Sequence, residues 1–431
     1  MQPVTLLVVG AGGRGSGYST FATMWPDRAK VVGVAEPREF YRQRLVKNHQ
    51  IAPEHTFTDW RQAAAKPRFA DAVLICTQDA MHADPAVAFA ALGYHIMLEK
   101  PMAPNAADCR RIVAAVKQSG KMFAVGHVMR YTHYTRTMKR LLTEGRIGQV
   151  VSIQHLEPVG FWHQAHSFVR GNWRNEAESS CMLLAKSCHD LDWLHYLMAR
   201  PCTHVASFGS LFHFHQGAKP AGAADRCLDC RVEATCPYSA KRFYLERLKT
   251  GRHGWPLDVL TPDLTLDGVT QALRDGPYGR CVYACDNDVV DHQVVIMTFA
   301  EGQSVNFTMT AFHAGGGRRT RIFGTHGYLH GDSDKIEHFD FLTGKREQIA
   351  LDVGDHTAAG GHGGGDGGLM DCFLRAVSTN DASQILSGPD DTLESHLMVF
   401  AAEQARRESR VVALDELLHP AAKAKAKRAK R

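Results

Sequence analysis

Over its first 128 residues the chain alternates between two patterns: short, wholly apolar runs, and longer stretches of helical composition closed by glycine. The apolar runs are Thr5-Leu-Leu-Val-Val, Val31-Val-Gly-Val-Ala35, Asp71-Ala-Val-Leu-Ile-Cys-Thr77, His95-Ile-Met-Leu-Glu99 and Met122-Phe-Ala-Val-Gly126. Runs this short and continuous read as strands buried on both faces, the signature of a parallel sheet. Between them, Ala83 to Leu92 ends at Gly93, and a helix from about Ala106 to Ser119 stops at Gly120. Repeated strand–helix units imply a doubly wound parallel sheet, whose ligands lie outside the carboxyl ends of the strands. The positions to search are therefore Thr77, His82, Glu99, Lys100, Pro101 and His127.

Beyond residue 128 the pattern becomes strand-rich. Cys181 to Met198 reads as one helix entering the interior, while Asp291 to Phe299, Ser304 to Thr310 and Arg319 to Phe323 alternate as strands of a sheet do. Leu369 to Val377 is a further helix. Long antiparallel strands with no later cover leave one face for helices and the other for a second subunit, so a homo-oligomer, dimer or tetramer, is expected.

The first strand runs straight into Gly10-Ala11-Gly12-Gly13-Arg14-Gly15, and the second ends at Glu36. In that order, strand, glycine turn, helix, strand and acid, each glycine has a use in a dinucleotide site. Gly10 permits the tight turn, Gly12 lets backbone approach a pyrophosphate, and Gly15 lets the helix sit close to the strand. Gly13 and Arg14 complete the turn, and the helix start offers free N–H groups and partial positive charge to phosphates. Glu36, about 20 residues past the last glycine, is placed to accept from both ribose hydroxyls, which favours NAD over NADP.

Composition narrows the class without naming a function. At 431 residues, 44% hydrophobic and 22% charged, the chain has room for two domains with substantial cores and the make-up of an ordinary soluble globular protein. No apolar run approaches the length of a membrane span and no basic segment leads into a signal region, so the expected address is cytoplasmic, with no membrane partner. The net charge of +5 suggests nucleic acid until it is located. Six positive charges lie between Lys423 and Arg431, and removing them leaves the rest near −1. Such a Lys/Ala tail reads as a solvated, disordered end, and no nucleic-acid partner is expected.

Several motifs together carry a family resemblance: Gly10-x-Gly12-x-x-Gly15, Glu36, a strand ending at Thr77 with His82 downstream, Gly93-Tyr-His-Ile-Met-Leu-Glu-Lys-Pro101, and Cys188-His-Asp-Leu-Asp192. The chain resembles the glucose–fructose oxidoreductase/inositol dehydrogenase (Gfo/Idh/MocA) family, well over its first 200 residues and more loosely beyond. The resemblance implies an N-terminal Rossmann domain and a C-terminal α/β domain built on a large, mostly antiparallel open sheet that often serves oligomerisation. It also implies hydride transfer between NAD(P) and a sugar or polyol. On this reading residues 1–128 bind the dinucleotide, 129–420 bind substrate and oligomerise, with a Cys-rich insertion at about 216–286, and 421–431 form the tail.

The chemistry can be argued from residues alone. Oxidising a secondary alcohol removes its hydroxyl proton while a hydride leaves for the nicotinamide, so a proton-handling group must touch that oxygen. A lysine near the cofactor suits this, since desolvation and nearby positive charge lower an ammonium's pKa. Lys100 is the first candidate, held by Glu99 and by Pro101, a residue that permits a cis bond. Lys186, His189 and Asp190 interrupt an apolar stretch and can share one helix face. Several such groups together point to a site, with Lys186 and His189 as catalytic candidates and Asp190 facing substrate. The family's common pattern places an aspartate four residues before the histidine; here Ala185 stands there, with Lys186 next to it, which moves that role toward Lys186.

A polar and aromatic cluster from Glu157 to Arg174 includes His163, His166, Arg170 and Trp173, the rings and donors a carbohydrate pocket requires. Arg170 can pair with an anionic substituent, and the bland alternative is a folded surface loop. Arg130 and Tyr131, just past the last strand of the first sheet, are placed to complete the pocket. Gly360-Gly-His-Gly-Gly-Gly-Asp366 lets backbone approach a ligand, with His362 and Asp366 as hydroxyl-binding groups, or is a mobile linker. Cys227, Cys230 and Cys236 fall within one loop, and Cys281 or Cys285 can add a fourth thiolate, an arrangement matching a structural tetrahedral zinc. Three function classes follow: an NAD-dependent sugar dehydrogenase; an NAD-dependent glycosidase that oxidises C3 transiently, eliminates, adds water and returns the hydride; and a non-catalytic dinucleotide sensor.

Overall fold

The computed structural model describes residues 2–351 and 362–418. The first apolar runs become a six-stranded, wholly parallel sheet of β1 (Val4–Val9), β2 (Ala29–Ala35), β3 (Thr56–Phe57), β4 (Ala72–Ile75), β5 (His95–Leu98) and β6 (Phe123–Val125). Its order is β3-β2-β1-β4-β5-β6, so the winding reverses between β1 and β4. Alternate strand residues feed two cores: Leu6, Val8 and Leu74 on one face, Leu7, Val9, Val73 and Ile75 on the other. Burial on both faces is why these strands contain almost no polar residues. The helix at Ala106–Ser119 carries the expected glycine stop, with Gly120 at φ +62° and Asn105 capping its start by accepting from Asp108 N.

The second sheet runs through β7 (Val150–Gly160), β8 (Cys202–Ser210), β9 (His292–Phe299), β10 (Ser304–His313), β11 (Arg319–Gly324), β12 (Gly327–Gly331), β13 (Ile336–Asp340), β14 (Arg346–Ile349) and β15 (Val412–Ala413). Its order is β14-β13-β12-β11-β7-β10-β9-β8-β15, antiparallel except where β10 pairs with β7. One face packs Ile153, Val295, Phe307 and Met309 against Trp193 and Leu194 of the helix Cys188–Met198 and Leu397 and Val399 of Pro389–Glu408. The latter helix also touches the first domain's core through Leu393 and Phe400, and His396 accepts from Met102 N at 2.9 Å. The opposite face leaves Phe208, Ile296 and Phe312 exposed.

Three local readings change. The stretch expected as one helix from 181 to 198 is two, Met182–Ala185 and Cys188–Met198, because Lys186 and Ser187 leave the helical path. Residues 161–170 are not a loop but a helical turn, Phe161–His163, running into a π-helical segment, Gln164–Arg170, that is buried throughout. The last-named helix of the sequence spans Gly365–Thr379, longer than its apolar stretch. Among the described residues no helix is long and apolar enough to cross a membrane. The basic tail and the start of the glycine run before His362 lie outside the described residues, as does the His362 side chain.

Candidate active site

The glycine turn lies at the switch between β1 and β4. Gly10 sits at φ +89°, and a Cβ there would meet Cys76 O at 2.5 Å; one on Gly15 would meet Gly10 O at 2.0 Å. Both positions therefore exclude any larger residue. The helix Gly13–Met24 starts behind Gly12 with no side-chain cap, so its first N–H groups point outward unclaimed by a side chain. Glu36 is buried at the end of β2 and accepts from Ala11 N at 2.8 Å, Arg38 N at 3.0 Å and Arg38 Nε at 2.8 Å. Burial would raise this carboxyl, but the Arg38 and backbone hydrogen bonds outweigh it and hold it low. Arg38, which sequence reasoning missed, lies across the turn, 3.3 Å from where a Gly12 Cβ would be.

At the ends of β4 and β5 the turns are tied together. His82 sits buried between Pro101 O at 2.7 Å and Thr77 O at 3.2 Å, so it braces the two turns. Thr77 Oγ1 donates to Met81 O. The Lys100–Pro101 peptide is cis. Glu99 accepts from Arg14 Nε at 2.6 Å, Tyr18 OH at 2.8 Å and Lys100 N at 2.8 Å. Burial raises it, yet Arg14 and Lys100 prevail and keep it ionised. Arg14 also pairs with Asp366 at 2.8 Å, so Asp366 reaches the glycine turn, where a hydroxyl-binding role was expected.

Lys100 extends from this floor toward the second domain, and its Nζ donates to Ala185 O at 2.7 Å. The break after Ala185 turns Lys186 out to Glu157 at 3.0 Å. Glu157 also receives Arg318 Nε at 3.0 Å, and Arg318 pairs with Asp190. Asp190 in turn meets His155 Nε2 at 3.0 Å, whose other nitrogen meets Thr320 Oγ1 at 2.8 Å. Burial acts to raise Asp190, but Arg318 and His155 drive it far below the carboxylate range. Asp190 thus anchors Arg318, and Lys186 and Asp190 do not pair with each other. Half-buried His163 is held well below the usual histidine range by burial, with Lys186, His166 and Lys100 adding to the effect. The His189 ring lies 5.8 Å from that of His127.

Other expected substrate residues are engaged by partners within the protein. Arg130 is buried in a two-pronged pair with Asp192, both contacts 2.7 Å, and Tyr131 OH meets Ser387 Oγ at 2.9 Å and receives Leu386 N. Arg170 is buried and donates to Arg280 O and Tyr238 O, each a bond that ties the insertion to the body. His166 bonds Tyr244 OH at 2.6 Å and stacks on Tyr278. Trp173 packs on Phe168. Cys227, Cys230, Cys236 and Cys281 line one small cavity, while Cys285 turns back to Cys281 O. The expected zinc still finds no ligand set: among the described residues no three His, Cys, Asp or Glu side chains converge as a metal requires.

Comparison with known proteins adds to this geometry. Residues 4–127 match the model of an oxidoreductase family, NAD-binding Rossmann fold (Gfo/Idh/MocA), and residues 139–414 match that family's C-terminal alpha/beta domain. The chain is 28% identical over 211 residues to the 2,7-anhydro-N-acetylneuraminate hydratase of Escherichia coli K12, covering 49% of this chain and 54% of the relative. It is 28% identical over 206 residues to the inositol 2-dehydrogenase of Streptomyces avermitilis, covering 47% and 56%. The matches thus span about half the length of these relatives. A solved levoglucosan dehydrogenase in complex with NADH and levoglucosan superposes with a TM-score of 0.69 at 17% identity, covering 96% of this chain and all of that one, which establishes a common fold.

Proposed function

Because the chain belongs to the Gfo/Idh/MocA oxidoreductase family, we propose that it transfers a hydride between NAD and a secondary alcohol of a sugar, glycoside or polyol. The observation that carries the reading is Lys100: rooted beside the cofactor turn by Glu99, it spans to Ala185 O, next to Lys186. Gly10, Gly12, Gly13, Gly15 and the uncapped helix start would hold the pyrophosphate, Glu36 the ribose, and Thr77, Glu99 and Lys100 the nicotinamide side. The cradle fits such a group, since both tight glycines leave backbone where a side chain would block approach. Bound there, the nicotinamide supplies the hydride acceptor.

Lys100 handles the hydroxyl proton. As a neutral amine it accepts that proton on its lone pair while the hydride leaves, and as an ammonium it returns the proton when the hydride comes back; one N–H donates to Ala185 O and orients the group. Lys186 is fixed by Glu157, which Arg318 holds from the other side, so the amine approaches substrate from a preset direction. His163, kept neutral, offers one donor and one acceptor to neighbouring hydroxyls. His189 completes the set from the helix Cys188–Met198.

A second reading is supported by the hydratase among the relatives and by the extra groups, Lys186 and His163, beyond the one a dehydrogenase needs. In it the hydride returns after elimination and water addition. Purified protein incubated with NAD and aryl glycosides separates the two: net NADH supports the dehydrogenase, and aglycone release without net NADH supports the redox-neutral hydrolase. One finer proposal accompanies the reading. The exposed face bearing Phe208, Ile296 and Phe312 supports self-association.

A further inference from the structure

Among the described residues of the insertion, Arg247 is a cation that no carboxylate pairs with. Its helix Ala240–Lys249, capped by Ser239, buries Ala240 and Tyr244 and sets Phe243 and Arg247 four residues apart on one face. Phe243 stacks on Trp162 with ring centres 5.6 Å apart, and the Arg247 guanidinium lies 5.3 Å from the Trp162 ring and 4.8 Å from Phe243. Of the neighbouring arginines, Arg170, Arg226 and Arg242 donate to backbone carbonyls and Arg252 Nε donates to Thr250 Oγ1; burial lowers the Arg247 pKa and the Arg252 charge adds to the effect. Among the described residues nothing accepts from the Arg247 guanidinium, and its Nε is buried without a hydrogen-bond partner. An anion laid against the terminal nitrogens of Arg247 would give this cation a counter-charge that the described residues do not supply.

Beside it stands Trp255, 48% exposed, the largest aromatic surface the insertion presents. Its ring packs edge-on against His163 at 5.0 Å and tilts against Trp162 at 5.6 Å. His163 in turn lies within the electrostatic reach of Lys186 and Lys100. Ring contacts therefore run from His163 to Trp255 and Trp162, and from Trp162 to the Arg247 guanidinium. Aromatic faces stack on sugar rings, and a guanidinium matches the two oxygens of a carboxylate.

We propose that Trp162, Trp255 and Arg247 form an outer subsite for a second substrate unit, a glycosyl residue bearing a carboxylate, with its ring against Trp255 and its acid on Arg247. The flat edge of a guanidinium matches a planar carboxylate, and the nearby Arg252 adds to the positive field that draws an acid there. The inference rests on the hydride-transfer reading and narrows its substrate to an acidic glycoside.

The test uses the full-length protein with NAD and three probes: a methyl glycoside that it oxidises, and the same glycoside extended by a glucosyl or by a glucuronyl unit. The glucuronyl probe should exceed the glucosyl probe in kcat/KM by about tenfold or more, the scale of a charge-assisted hydrogen bond. Arg247→Gln should bring that ratio to about one, Arg247→Lys should keep part of it, and both should leave the methyl glycoside unchanged. Trp255→Ala should weaken both extended probes alone. Equal kcat/KM for the two extensions in the unmodified protein, or a ratio that survives Arg247→Gln, overturns the subsite. If no probe is oxidised, the hydride reading fails on its own, and calorimetric titration of the two extended probes still decides: a glucuronyl preference lost in Arg247→Gln supports the subsite, and no such preference overturns it.

Discussion

Arg318→Met removes the cation shared by two buried carboxylates. Asp190 is fully buried, and without Arg318 it keeps, among the described residues, His155 with Thr320 behind it; Glu157 keeps Lys186. Stripping one partner from a buried pair leaves an uncompensated charge and costs about 3–5 kcal/mol, whereas removing both partners costs far less. Arg318→Met should therefore lose stability in that range in urea unfolding, and adding Asp190→Asn should restore part of it, with a coupling of about 1.5–3 kcal/mol. The pH dependence has a definite sign. With Arg318 gone, burial raises the folded-state pKa of Asp190 above its unfolded value, so its protonated form is tolerated at low pH and its ionised form is penalised as pH rises. The deficit of the variant should be larger near pH 8 than near pH 5. Strictly additive single and double variants, or a deficit that grows on acidification, would refute the network as described.

Three further outcomes are expected. His127, His166 and His396 are held neutral by burial, at about 3, 3 and 4, against an ordinary 6.5. Stability should be full above pH 6.5 and fall as pH drops toward those values, by up to about 4 kcal/mol per pH unit for three protons; unchanged urea midpoints between pH 7 and pH 5 would contradict this. Glu36→Ala removes the proposed ribose acceptor and frees Arg38, so NAD affinity should fall about tenfold or more and the NADP-to-NAD preference should rise in calorimetry; an unaltered preference would count against the assignment. Sedimentation should show an assembly larger than one chain, converted toward monomer by charges at Phe208 and Ile296; a monomer in the unmodified protein would remove that proposal.

Much of the first sheet was legible because its signals are local. The Ala106–Ser119 helix is bounded by Asn105 and Gly120, its own cap and stop, and the glycine turn carries its constraints within six residues. Side-chain roles fared less well because they depend on distant partners. Arg130 looked like a pocket residue from its place after β6, but Asp192, 62 positions away, takes both of its prongs. Asp190 looked like a ligand group until Arg318, 128 positions on, claimed it; Arg318 follows a glycine run and carries no motif of its own. The helix break at Lys186 had no glycine or proline to announce it, and the ion pair with Glu157 became visible only with β7 in place. Arg38 did leave a signal, an arginine two positions after the ribose acid, that can be read in sequence.

The central claim, that Lys100 moves the proton of an alcohol oxidised against bound NAD, is tested most directly by comparing the protein with Lys100→Met. Both should bind NAD by calorimetry, the variant no more than about tenfold more weakly, while NADH formation from the sugar alcohol should fall by about 10²–10⁴-fold in the variant, the range for loss of a general acid–base group. No affinity for NAD in the unmodified protein, or a Lys100→Met variant that still reduces NAD at the original rate, would contradict the claim.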